Sequence, residues 1–334
     1  MFTVSINNAN CSFEQTEEQD SILRAGLRAD LGLPYECNSG GCGTCKFQLL
    51  DGEVEELWSD APGLSKRDRQ KGRLLACQCR PKSDVIINMR IDDSYRPRVS
   101  PVRMEGTLIS RTKITPDITE FRLQASLANF LPGQYAMLSL AGGPGPRAYS
   151  MSNTANADGL WDFWIRRVNG GQFTERLWNL NVGEKVMLDG PYGLAHLQPE
   201  AARHVLCIAG GSGISPMLSV ARGVLTDPRM VDRHVHFFFG GRTTMDLCGY
   251  NELCQLDDQK SRIHYDAAIS DPSASDDWSG HVGFIHQVVD RMLGNNLGDF
   301  ECYLAGPPPM VDATTNLLRD REVPPGQIHY DRFF

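Results

Sequence analysis

Cys37, Cys42 and Cys45 stand within nine residues, in the stretch YECNSGGCGTCKF. Three thiols this close, spaced C-x4-C-x2-C, suit a shared metal centre. A disulfide would leave one of the three unpaired. Zinc commonly uses a C-x2-C half-site but wants a second such pair, and the other close cysteines, Cys77 and Cys79, have one residue between them. C-x4-C-x2-C followed by a distant single cysteine is the spacing that holds a [2Fe–2S] cluster. Gly40, Gly41 and Gly43 fit that use, because glycine lets the backbone take positive φ and turn N–H groups toward sulfur. The fourth ligand must come from LLACQC, where both Cys77 and Cys79 are candidates.

Four further segments could do chemistry. RAYS, Arg147 to Ser150, supplies a guanidinium, an aromatic ring and a hydroxyl in quick succession. A guanidinium matches phosphate geometry, and an aromatic face excludes water from a flat cofactor. RRVNGGQFT, running from Arg166 to Thr174, places Gly171-Gln172-Phe173-Thr174 ahead of a helix start, where N–H groups and a hydroxyl suit a diphosphate. A plain hairpin turn is the bland reading of Gly170 and Gly171. In HVLCIAGGSGISPM a buried strand meets a helix at Gly210, Gly211, Ser212 and Gly213, a join that lets a pyrophosphate approach closely. AGPPPM, with Ala305, Gly306, Pro307 and Met310, ends another apolar strand. After the second strand, Arg242 can stack on or bond an adenosine. Asp246 is a candidate for the free ribose hydroxyls of NADH, against an equally natural use as a helix-capping carboxylate. NADH is therefore preferred to NADPH.

The surrounding elements must position these groups. The 334 residues suggest two or three domains, and 41% hydrophobic with 22% charged residues describes a packed globular chain. A net charge of -8 argues against a nucleic-acid partner. MFTVSIN alternates as a strand, and Asp20 or Ser21 caps a helix that carries Ile22, Leu23, Leu27 and Leu31 on one face and ends at Gly32. KFQLLDGEV reads as a strand and turn, and DVIINMRI as a last strand. DSYRPRVSP, with two prolines, reads as a linker. Short strands from Val102 onward predict an antiparallel barrel, and strands alternating with helices near the end predict a doubly wound parallel sheet. The expected division is 1–92, a linker 93–101, 102–200 and 201–334. His234 and His236 alternate on a strand and are read as structural.

Residues 35–79 resemble the plant-type ferredoxin domain, a β-grasp fold whose last ligand follows a short apolar pair and a small residue. That resemblance places the fourth ligand at Cys77 and leaves Cys79 as a buried or spare thiol. RAYS resembles the R-x-Y-S/T motif of the ferredoxin–NADP reductase superfamily. The likeness implies FAD, with Tyr149 packed on the flavin, Ser150 near N5 and Arg147 at the pyrophosphate. It extends the FAD set to Arg166, Gly171, Gln172, Phe173 and Thr174, and to Phe333 of the aromatic ending HYDRFF. Asn169 stands where relatives often carry proline. GGSGISP and AGPPPM resemble the nucleotide half of the same superfamily, although Ala305 occupies its usual cysteine position.

The whole chain resembles the reductase components of multicomponent aromatic-ring oxygenases, most of all those of carbazole dioxygenase and toluene monooxygenase systems. The resemblance implies an NADH-dependent oxidoreductase whose FAD converts an electron pair to single electrons that leave through a [2Fe–2S] cluster to a ferredoxin or a terminal oxygenase. A redox sensor and a self-sufficient NADH oxidase are the rival classes. With no secretory leader or membrane span read from the sequence, a cytoplasmic monomer is expected.

Overall fold

The computed structural model describes residues 1–16, 20–257, 261–274 and 277–333. By its contacts the chain divides into two compact units. One comprises Met1–Arg103 with Pro146–Ala148 and Asp189–Leu194; the other comprises Met104–Gly145, Tyr149–Leu188 and Ala195–Phe334.

The first unit contains strands β1 (Phe2–Ile6), β2 (Cys11–Gln15), β3 (Lys46–Asp51), β4 (Val54–Glu56), β5 (Arg73–Leu75), β6 (Cys79–Pro81) and β7 (Val85–Asn88), with helices α1 (Ile22–Arg28) and α2 (Lys66–Gln70). The main sheet has the order β2-β1-β7-β3-β5, with β1 and β2 antiparallel and β1 and β7 parallel. This mixed sheet and the helix packed on it form the β-grasp arrangement. Alternating residues Val4, Ile6, Phe47, Val85 and Ile87 face inward, and Leu23 and Leu27 of α1 are fully buried.

Helix α1 starts at Ser21, whose hydroxyl accepts from Arg24 N at 3.3 Å. It stops at Ala29, earlier than the expected end at Gly32. Asp30 takes φ +60, Leu31 N donates to Gly26 O and Asp30 N donates to Leu27 O, the paired bonds of a Schellman stop. Gly32 serves a different need: a Cβ there would lie 2.2 Å from Asp92 O. The expected linker contains a short 3₁₀ turn, Asp93–Tyr95.

The second unit opens on an antiparallel barrel that also uses strand ends assigned to the first. Its strands are β8 (Val102–Lys113), β9 (Ile118–Gln124), β10 (Tyr135–Ser139), β11 (Arg147–Ser150), β12 (Leu160–Arg166) and β13 (Lys185–Tyr192), with α3 (Gln172–Trp178) before the last strand. The order is β11-β10-β13-β8-β9-β12, and an antiparallel bridge between Met151 and Phe163 joins the two ends. The interior holds Phe121, Trp161, Phe163, Ile165 and Leu188.

The remaining elements are β14 (His204–Gly210), α4 (Ile214–Thr226), β15 (Val235–Gly241), α5 (Tyr250–Leu256), β16 (Ile263–Ile269), β17 (His281–Val282), α6 (Ile285–Leu293), β18 (Phe300–Gly306), α7 (Pro308–Asp320) and β19 (Ile328–Arg332). They build a sheet of order β17-β16-β15-β14-β18-β19, parallel at every pairing. Val205, Cys207 and Ala209 pack toward α4 on one face, while Leu206 and Ile208 pack toward α6 and α7 on the other. Burial on both faces explains the near-continuous apolar runs. The connection reverses direction at β14, between β15 and β18, so the crevice of this open sheet lies at the carboxyl ends of β14 and β18.

Candidate functional site

Four thiols stand as two pairs in the loop between α1 and β3 and at the turn after β5, and among the described residues no group of three could share a single metal ion. Cys37 and Cys42 sulfurs lie 3.3 Å apart, and Cys45 is hydrogen-bonded to Cys77. Two pairs, rather than four ligands around one point, are what a two-iron cluster needs, since each iron takes two thiolates. Backbone N–H groups aim at the sulfurs: Ser39 N and Cys42 N reach Cys37 Sγ at 3.5 and 3.3 Å, and Thr44 N reaches Cys42 Sγ at 3.5 Å. The hydrogen bond shared by Cys37 and Cys42 holds the Cys37 thiol below its ordinary value and pushes that of Cys42 up; burial raises both, and the backbone N–H groups lower both.

Gly40 and Gly43 take φ +91 and +76, whereas Gly41, the third glycine of the expectation, is not among the positive-φ residues. Sequence reasoning missed Asn38, which also has positive φ, +52, and is buried. Asparagine tolerates that region, so its place before S-G-G was the available signal. Cys79 is buried in β6, and burial, then the charge of Glu56, raises its thiol.

In the barrel, Tyr149 and Phe173 come together, their rings 5.6 Å apart and tilted by 35°. The structure thus joins RAYS and GGQFT, two segments with nineteen residues between them in the sequence. Ser150 is buried, and so is the neighbouring Ser152, whose hydroxyl has no hydrogen-bond partner among the described residues. The aromatic pair and this orphaned hydroxyl fit a flat polar cofactor such as flavin. Thr174 Oγ1 lies 3.2 Å from Val168 N, Val168 O and Gly171 O, so it closes the turn onto Gly171, the residue capping α3. Gln172 opens α3. Arg147 is exposed and donates to Pro146 O at 3.1 Å.

A cavity of about 460 Å³ lies at the carboxyl ends of β14, β15 and β18. Gly210, Gly211, Arg242, Asp246, Pro307 and Met310 line it, so the two strand-end motifs meet there. The turn is packed tightly: a Cβ at Gly213 would lie 2.0 Å from Ala305 O, and one at Gly210 would lie 2.6 Å from Met310 Sδ. Ser212 sits within the 3₁₀ turn Gly211–Gly213. Ala305 is fully buried in β18, Gly306 has φ +151, and Phe333 N donates to Gly306 O at 3.0 Å.

Arg166 stands on this side too. Its Nε donates to Asp117 at 2.5 Å, a second nitrogen lies 3.7 Å from Asp246, and a Cβ at Gly211 would lie 3.0 Å from it. The structure therefore sets Arg166, expected with the FAD residues, beside the Gly210–Gly213 turn. Asp246 Oδ2 accepts from Arg242 N and Thr243 N, both at 2.9 Å, so this oxygen is committed to capping its own loop. Sequence reasoning did not assign Phe284 and His286 to the cavity. Phe284 is 62% exposed and stacks on His286 with rings 6.0 Å apart. Their signal was an aromatic following a glycine, Gly283, at the end of a strand.

Comparison with known proteins agrees with the three centres. Residues 4–82 match the family described as 2Fe-2S iron-sulfur cluster binding domain, 105–197 the oxidoreductase FAD-binding domain, and 207–316 the oxidoreductase NAD-binding domain. The ferredoxin–NAD(P)+ reductase of Metapseudomonas resinovorans is 44% identical over 318 residues, covering 94% of each chain. The chain belongs to the ferredoxin–NAD(P)+ reductase components of multicomponent oxygenases. The ferredoxin–NAD+ reductase component of the alkene monooxygenase system of Xanthobacter autotrophicus is 36% identical, covering 97% of each. Among solved structures, the ferredoxin reductase in carbazole 1,9a-dioxygenase superposes with TM-score 0.91 at 39% identity, covering all of this chain and 98% of that one.

As in that family, the chain is an oxidoreductase. It takes electrons from NADH through FAD to a [2Fe–2S] cluster and on to a ferredoxin or oxygenase component. Among the described residues, no helix is long and apolar enough to cross a membrane.

Proposed function

We propose that Cys37, Cys42, Cys45 and Cys77 hold the cluster. In this reading Tyr149, Ser150, Arg147 and the Gly171–Thr174 turn hold FAD, with Phe333 near its ring. The Gly210–Gly213 turn, Arg242, Gly306, Pro307 and Met310 hold the dinucleotide, with Ala305 supporting the turn from behind and Arg166 beside it. The observation that carries the reading is the two-by-two arrangement of thiols, which suits a one-electron outlet rather than a structural ion. The chain works as a cytoplasmic monomer and supplies single electrons to an aromatic-ring oxygenase, through a small ferredoxin or directly. The Metapseudomonas relative, named a ferredoxin–NAD(P)+ reductase, supports the ferredoxin route.

Anaerobic titration with NADH, read by visible absorption and electron paramagnetic resonance, tests it. Bleaching of flavin and cluster bands with a reduced [2Fe–2S] signal is the expected result. A flavin that bleaches with no iron signal would defeat the outlet, and rapid oxygen consumption without any protein acceptor would point to an oxidase.

A further inference from the structure

Helix α4 begins at the nucleotide turn, and one stripe of it reaches the strand that carries Tyr149 and Ser150. Ser215, Ser219 and Arg222 fall at i, i+4 and i+7, on a single helix face. All three end on main-chain carbonyls of residues 150–153. Ser215 Oγ donates to Ser150 O at 2.8 Å, Ser219 Oγ donates to Asn153 O at 2.6 Å, and Arg222 donates to Ser152 O.

Each serine oxygen is used twice. Ser215 Oγ accepts from Trp164 N at 3.2 Å, and Ser219 Oγ accepts from Gly133 N at 3.3 Å. Ser215 and Ser219 are 2% and 0% exposed. The barrel holds the same segment through Met151 N to Gln134 O at 3.1 Å and Ser152 N to Asp162 O at 2.7 Å. Burial draws Arg222 below the ordinary arginine value.

Ordinary helix-on-barrel packing would be served by apolar side chains. Burying two hydroxyls and a guanidinium costs desolvation, and what they add in return is direction, because each bond has one favourable geometry. The stripe spans about 10 Å of helix, and its first member lies two residues beyond Gly213. A displacement of α4 along this seam therefore moves the nucleotide turn relative to Ser150.

We propose that Ser215, Ser219 and Arg222 are positioning residues for hydride transfer, fixing the nucleotide turn in register with the flavin-bearing strand. The proposal rests on the reading of Tyr149 and Ser150 as that strand. In the step, hydride leaves C4 of the dihydronicotinamide with its electron pair, giving NAD+, and arrives at flavin N5. The three residues form no bond in it and set only the approach, to which a misplacement near 1 Å can cost about a hundredfold in rate.

The test uses the FAD- and cluster-loaded full chain with Ser215→Ala, Ser219→Ala, Arg222→Lys and the hydroxyl-retaining Ser215→Thr. Anaerobic stopped-flow mixing with NADH should show flavin reduction at saturation falling about ten- to a hundredfold in the alanine variants. NADH affinity should stay within about threefold, and Ser215→Thr should recover most of the rate. Two readouts do not depend on turnover. The long-wavelength absorbance of reduced protein mixed with NAD+ should weaken, and amide exchange at Met151 and Ser152 should quicken in FAD-free protein. Unchanged reduction rates in all variants would overturn the proposal. So would a rate loss matched by equal loss of bound FAD and of thermal stability, or one that Ser215→Thr fails to recover. Tyr149→Ala separates the two readings. An undisturbed flavin spectrum and FAD content there would remove the strand assignment itself, whereas a disturbed flavin with silent seam variants removes only the seam.

Discussion

A methyl group at Gly43 would lie 2.2 Å from the Gly63 carbonyl oxygen, on a residue held at φ +76. Both objections are backbone, so no side chain can yield. Gly43→Ala should therefore lose most of its bound iron and destabilise the fold by about 1–3 kcal/mol or more, read as iron per chain and Tm. Gly72→Ala is the control, since Gly72 has φ +63 but nothing within 4 Å of its missing Cβ, and should cost only about 1 kcal/mol with iron unchanged. The same assay separates the two cysteines that sequence left open. Cys77→Ala should abolish the cluster signal, while Cys79→Ala should keep full iron, because Cys45 bonds to Cys77 and Cys79 is buried in β6. Cysteine spacing was legible because ligand geometry depends on a few residues of one loop. Asp246 was not resolved, since a carboxylate capping its own loop and one reaching a ribose are the same residue at the same offset. Only the bonds from Arg242 N and Thr243 N tell them apart.

Elements were legible where their period was strong and less so at their ends. The helix after Ser21 and the apolar strands β14, β15 and β18 follow from pattern, yet α1 stops at Ala29 because a non-glycine residue, Asp30, makes the left-handed turn. Its polar face was also hidden. Arg28 bonds Asp20 and Asp189, both at 2.8 Å, while Arg24 Nε lies 3.5 Å from Asp189 without a hydrogen-bond partner among the described residues. Asp189→Ala takes one of two carboxylates from half-buried Arg28, which keeps Asp20, and leaves buried Arg24 with Asp20 3.9 Å away, so it should destabilise by about 1.5–3 kcal/mol, whereas Arg24→Leu should be neutral or stabilising, both by denaturant titration. The histidines of β14–β16 add a pH dependence. His236 pairs in register with His264, their rings 4.8 Å apart, and the charges of His264, His204 and His234 act on it with Asp266 opposing them. Burial first, then these neighbours, holds His236 at about 4. A base depressed in the folded state binds fewer protons than in the unfolded chain, so stability rises with pH across the window from about 4 to 6.5. Tm of the wild type should fall as pH drops through that window, and His236→Gln should fall less steeply.

At the scale of the whole molecule, the order of centres could be read because each carries a short motif in chain sequence. The order of strands in the parallel sheet could not, because it depends on which neighbours pair and not on any one segment. The division of labour follows from electron counting: hydride delivers two electrons, and the cluster passes one at a time. That separation makes a prediction that neither half of the chain makes alone. Cys77→Ala protein should still be bleached by NADH and reduce a small chemical oxidant such as ferricyanide at near wild-type rates, because the flavin is intact. Its transfer to a [2Fe–2S] ferredoxin should fall by at least about a hundredfold, equivalent to roughly 2.7 kcal/mol on the barrier. Anaerobic mixing of the two proteins, following the acceptor's absorbance, measures this directly. Equal losses toward both acceptors would mean that the cysteine change had damaged the flavin site as well. Undiminished ferredoxin reduction would mean that electrons leave from the flavin and that the four thiols serve some other end.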